Sequence, residues 1–64
     1  MTAKAFTKWA AQMRAAHGLS EQQLARLLGC GHNQISRWKR TGAPPYIELA
    51  CEALTRRLEE AVNA

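Results

Sequence analysis

Long apolar runs are missing from this 64-residue chain. None approaches the ~20 residues that a bilayer crossing requires, so no membrane anchor is expected, and nothing resembles a secretory signal. Cysteine is scarce. Two copies without a secretory signal argue for reduced thiols in a cytoplasm and against a disulfide framework. Structural zinc wants four ligands, usually in paired C-x-x-C or H-x-x-x-H spacings; Cys30, His32, Cys51 and His17 form neither, so no metal is expected. There is also no Ser/His/Asp grouping, no carboxylate pair and no glycine-rich phosphate loop. The chain therefore reads as no enzyme, with no cofactor and no small-molecule ligand.

What is present is a small, basic, largely apolar domain. Hydrophobic residues make up 47% of the chain, too many for a disordered tail. Residues 1–64 suffice for a single domain, but one this short leaves much of its apolar surface exposed as a monomer, and oligomerisation is expected. The net charge of +4 is unevenly spread. Through Gly42 there are seven basic residues (Lys4, Lys8, Arg14, Arg26, Arg37, Lys39 and Arg40) against Glu21 alone. Beyond it, Arg56 and Arg57 face Glu48, Glu52, Glu59 and Glu60. A positive head on a mildly acidic tail suits a polyanionic partner.

The stretch LSEQQLARLLGCGHNQISRWKR, Leu19 to Arg40, is the most informative. Ser20 can cap a helix while Gln23 reaches back to the cap amide, and Leu24, Leu27 and Leu28 give that helix an apolar face. Gly29 stops it, because glycine reaches positive φ without a Cβ penalty. A second helix begins near Gly31 or His32, and Ala25 is small enough to let the two cross closely. Ile35 and Trp38 form its buried stripe, which leaves His32, Asn33, Gln34 and Arg37 outward on a basic surface. This spacing predicts a helix-turn-helix over about 20–40.

Upstream, Phe6, Trp9, Ala10 and Met13 recur at helical spacing between a Thr2 cap and Gly18. Downstream, Pro44 and Pro45 suit the first turn of a new helix over about 45–62, and Glu48 favours the positive end of its dipole. Ile47, Cys51, Leu54, Leu58 and Val62 form an apolar stripe along it. The chain has no further element to cover the distal part. A second protomer is the natural cover, and Leu54, Leu58 and Val62 are the expected dimer interface.

The capped LS, the Ala25, Gly29 and Ile35 triplet and the ISRW run together resemble the helix-turn-helix of the λ repressor-like superfamily, in particular its small Cro and xenobiotic-response-element regulators. Phe6, Ala10, Met13, Arg14 and Gly18 match the first helix of that family, and Ala43 to Leu54 a later helical segment. Cys30 falls where the family carries a small apolar residue, so it reads as core. The tail APPYIELACEAL is similar to that of regulators associated with anti-CRISPR operons. The chain departs from the family in placing Glu21 where a phosphate-contacting glutamine is common, in facing Arg14 with Lys39 rather than glutamate, and in capping the reading helix with Gly31.

The resemblance implies an all-α, compact four- to five-helix λ repressor-like DNA-binding domain with a long C-terminal helix. It implies a cytoplasmic homodimeric repressor of phage or mobile-element type, acting on double-stranded DNA at an inverted-repeat operator. His32, Asn33, Gln34 and Arg37 would then read bases in the major groove: asparagine pairs with adenine, arginine with guanine O6 and N7. Gln22, Gln23, Ser36, Lys39 and Arg40 would contact phosphates. The rival expectation is an adaptor or antiactivator that keeps the fold and binds another protein through its apolar tail.

Overall fold

A computed structural model describes residues 1–63 of the chain. Among them lie four helices and no strand: α1 (Ala3–His17), α2 (Glu21–Leu28), α3 (His32–Thr41) and α4 (Pro45–Asn63). The expected four- to five-helix count thus resolves to four, with α2 and α3 forming the paired helices and α4 the long terminal one.

Each boundary has a local chemical cause. At the start of α1 the Thr2 hydroxyl accepts from the Ala5 amide at 3.1 Å, satisfying one of the free donors of the first turn. Its end is closed by Gly18, whose amide donates to the Arg14 carbonyl at 2.9 Å. α4 starts at the prolines, where a missing N–H does no harm; the Pro44 carbonyl accepts from Ile47 at 3.0 Å and Glu48 at 3.4 Å. Between α3 and α4 the chain doubles back onto its own beginning. The Met1 amino group donates to the Ala43 carbonyl at 3.1 Å, and the Ala43 amide donates to the Met1 carbonyl at 2.9 Å. Gly42 sits against this bridge with φ of +94°, and a Cβ there would lie 2.9 Å from the Met1 carbonyl oxygen.

The core is apolar throughout, with no polar or charged side chain buried among the described residues. Phe6, Leu24, Ile35 and Cys51, one from each helix, are fully enclosed. Complete burial of one such side chain contributes roughly 1.5 to 3 kcal/mol, so Ile35→Ala, which also leaves a cavity, is the kind of single change that a small domain tolerates poorly. Aromatic rings tie α1 to α3: Phe6 meets Trp38 edge-on, with centroids 5.6 Å apart and planes at 78°, and meets Trp9 at 5.7 Å. The Trp9 indole N–H donates to the Thr55 hydroxyl at 2.8 Å, which links α1 to α4.

Two apolar expectations change in the structure. Leu27, expected on the inner face of α2 with Leu24 and Leu28, is 51% exposed. The buried arc of this eight-residue helix runs through Leu24, Leu28 and Ala25, and at 100° per residue Leu27 lies about 110° from its centre. Along α4 the expected stripe fades with distance. Ile47 and Cys51 are buried, Leu54 and Leu58 are half-buried against the core, and Val62 is exposed. The first three helices end before they can reach the last turn of a 19-residue helix.

Candidate nucleic-acid interface

The turn between α2 and α3 is built from backbone hydrogen bonds. Ser20 Oγ accepts from the Gln23 amide at 3.2 Å, and Gln23 Oε1 accepts from the Ser20 amide at 2.8 Å, a reciprocal capping box that fixes the start of α2. At its other end the Gly29 amide donates to Arg26 at 3.2 Å and the Cys30 amide to Ala25 at 2.9 Å. This pair of bonds is a Schellman closure, and it requires Gly29 to take the left-handed φ of +76° observed. Gly31, extended at φ −81° and ψ 156°, then opens α3 without a side-chain cap.

So placed, α3 buries Ile35 and Trp38, half-buries Lys39 and turns the rest outward. His32, Asn33, Gln34 and Arg37 are all exposed, and Ser36 and Arg40 flank them. The four residues expected to read bases therefore share the open side of one helix. Of the residues expected at phosphates, Gln22 on α2 is exposed, whereas the carbonyl oxygen of Gln23 is taken by the capping box and only its NH₂ end is available.

Lys39 is half-buried and engaged. Its ammonium donates to Glu21 Oε2 at 2.6 Å, and His32 Nε2 lies 3.7 Å from Oε1 of the same carboxylate. The Lys39 hydrogen bond holds the Glu21 carboxyl below its ordinary range, helped by the charges of Lys39, His32 and Arg14 and opposed by burial. Arg14 and Lys39 do face one groove, as expected, and Glu21 lies in it with them. Helical periodicity does not reveal this arrangement. Its signal was present: Glu21 is the only acid among the first 42 residues, so every nearby cation competes for it.

A second groove runs beside α3, walled by Gln34, Arg37 and Thr41 on one side and by Tyr46 from the first turn of α4 on the other. Tyr46 is 67% exposed and was not anticipated. An aromatic residue off the apolar stripe of its own helix was the available clue. Burial disfavours the thiolate of both cysteines. It raises the thiol of Cys30 and, with Glu48 next, pushes that of Cys51 up to about 11. Among the described residues no three His, Cys, Asp or Glu side chains gather as metal ligands, and no helix is long and apolar enough to cross a membrane.

No curated protein and no solved structure matches the chain. A family model described as a homeodomain-like domain, of the helix-turn-helix type, matches residues 2–42. That span holds α1, the capped turn and the whole outward row of α3, well over half of the sequence. The chain belongs to the homeodomain-like helix-turn-helix family of DNA-binding domains.

Proposed function

We propose that the chain is a sequence-specific, double-stranded DNA-binding transcriptional regulator of the Cro and xenobiotic-response-element type: a non-enzymatic homodimeric repressor working in the cytoplasm at an inverted-repeat operator. The observation that carries this reading is the outward row of His32, Asn33, Gln34 and Arg37 on a helix anchored from behind by Ile35 and Trp38. Side chains that reach base edges need a rigid helix beneath them. Asn33 and Arg37 suit bidentate pairing with adenine and guanine, worth ~1 to 3 kcal/mol of discrimination each. Two or three such contacts cannot select one genomic site. Two-fold symmetry doubles them and places half-site centres roughly 34 Å apart.

Gln22, Gln23, Ser36, Lys39 and Arg40 serve as phosphate contacts, joined by the hydroxyl of Tyr46, which borders the groove that Arg37 lines. The dimer forms through Leu54, Leu58 and Val62, which the first three helices leave half-covered or open. Regulation then follows from occupying a promoter and excluding polymerase.

The test is a gel shift with promoter DNA from the chain's own locus. With three or four phosphates neutralised per protomer, log affinity falls with log salt at a slope of about −5 to −7. Arg37→Ala abolishes the sequence-preferring complex, and Leu58→Glu converts dimer to monomer in sedimentation. The absence of any complex at low salt favours the adaptor reading instead, for which the exposed Leu27, Tyr46 and Leu49 supply an apolar surface.

A further inference from the structure

Glu21 stands at the first position of α2, where the unpaired amides of a helix start favour an anion. In a helix-turn-helix complex the first paired helix crosses the DNA backbone, so a phosphate is the anion that the start of α2 can meet. Here the chain supplies a carboxylate of its own. It is one-third exposed, and it draws in the Lys39 ammonium at 2.6 Å and the His32 imidazole at 3.7 Å, with Arg14 lining the same groove. Two of the cationic or ionisable groups on the positive head are therefore turned toward one internal anion, with a third beside them in the groove. Lys39 and His32 are among the groups that the proposed DNA contact needs.

We propose that Glu21 acts as an intramolecular stand-in for a DNA phosphate, occupying Lys39 and His32 in the free protein and thereby suppressing binding to arbitrary duplexes. This rests on the DNA-binding reading above and extends it to specificity. On a random duplex the backbone gain from Lys39 is offset by breaking its bond to Glu21 and by bringing a phosphate up to the carboxylate. On the operator, the base contacts of Asn33 and Arg37 fix α3 in one register and carry most of the complex, so less of its affinity depends on the Lys39 phosphate contact. Glu21 thus widens the gap between specific and non-specific affinity by lowering the second more than the first. A partly exposed ion pair contributes only modestly to stability, so discrimination, more than holding the fold, is what the Glu21 cluster is suited to.

The experiment compares the parent with Glu21→Gln on a duplex from the chain's own promoter and on a scrambled duplex of equal length, over a salt series. The variant binds the scrambled duplex about 3- to 10-fold more tightly at low salt. Its salt slope steepens by about one unit per protomer, as one more phosphate is neutralised. Affinity for the promoter duplex rises less, so the ratio of the two falls. Glu60→Gln, which changes net charge equally on the far end of α4, produces no comparable gain. Adding Lys39→Ala to Glu21→Gln cancels it. Glu21→Ala shifts binding in the same direction, and circular dichroism establishes that every variant is folded.

A Glu21→Gln protein that binds the scrambled duplex no better than the parent, or gains no more than Glu60→Gln does, overturns this proposal and leaves the DNA-binding reading intact. A parent that binds no duplex at low salt overturns both.

Discussion

Trp9 and Thr55, on the first and last helices, meet through a hydroxyl that works both ways: it accepts from the indole N–H at 2.8 Å and donates to the Cys51 carbonyl at 2.8 Å. The geometry leaves the indole donor no second partner. Thr55→Val keeps the shape and removes the acceptor, so a partly buried N–H goes unpaired. The expected loss is about 1 to 3 kcal/mol, a fall in Tm of ~4 to 8 °C for each kcal/mol in a domain of this size. Thermal unfolding followed at 222 nm checks it, and an unchanged Tm would mean that water replaces Thr55 without penalty.

Two glycines with positive φ should respond differently to the same change. At Gly29 an added Cβ meets nothing within 4 Å, so Gly29→Ala carries only the left-handed penalty, about 1 kcal/mol. At Gly42, with φ +94° and ψ 160°, the backbone is in a region nearly reserved for glycine, and a Cβ would press on the Met1 carbonyl. Gly42→Ala should therefore lose clearly more, ~3 kcal/mol or above. Urea midpoints for the two variants rank them, and the reverse order would show that the Met1 bridge yields easily.

The Glu21 carboxyl, held below its ordinary value near 4.5, fixes the sign of an acid effect. A lowered value in the folded state means that the unfolded chain binds more protons in this window, so stability rises with pH across it. The contribution is complete above the ordinary value and disappears as pH falls through the folded one. Unfolding midpoints measured from pH 7 to 3 should drop more steeply for the parent than for Glu21→Gln; parallel curves would show that the pair adds nothing to stability.

Thiol reactivity should separate the two cysteines. Cys51 is 1% exposed with its thiol pushed up to about 11, whereas Cys30 is only half-buried. An aromatic disulfide reagent at neutral pH should titrate Cys30 in the native protein and Cys51 only as the fold opens, since attack requires an accessible thiolate. Two equivalents released together from native protein would mean that α4 lifts off the core.

Most of the architecture was legible because it is written in local chemistry. Thr2, Ser20 with Gln23, Gly18, Gly29 and the proline pair each specify a helix end within a few residues, and all five act where expected. The outward row of α3 followed from Ile35 and Trp38 alone. What stayed hidden depends on how far helices reach and on which charges meet across space. Leu27 satisfies a helical apolar pattern but lies outside a narrow buried arc, and Val62 continues a stripe beyond the elements that could cover it. The bond from Glu21 to Lys39 joins residues of different helices, and no periodicity records it. Tyr46 enters the picture only because α4 starts beside α3.

The edge-on contact between Phe6 and Trp38 has a consequence for recognition. Trp38 directly follows Arg37 and lies one turn along from Gln34, so the tilt of their helix is set by a ring in α1 that itself touches no solvent. Under the proposed DNA-reading function Phe6 works as a fulcrum: trimming it to leucine would shift the outward row of α3 and alter which bases are preferred, although the substituted side chain lies in the core and not on that row.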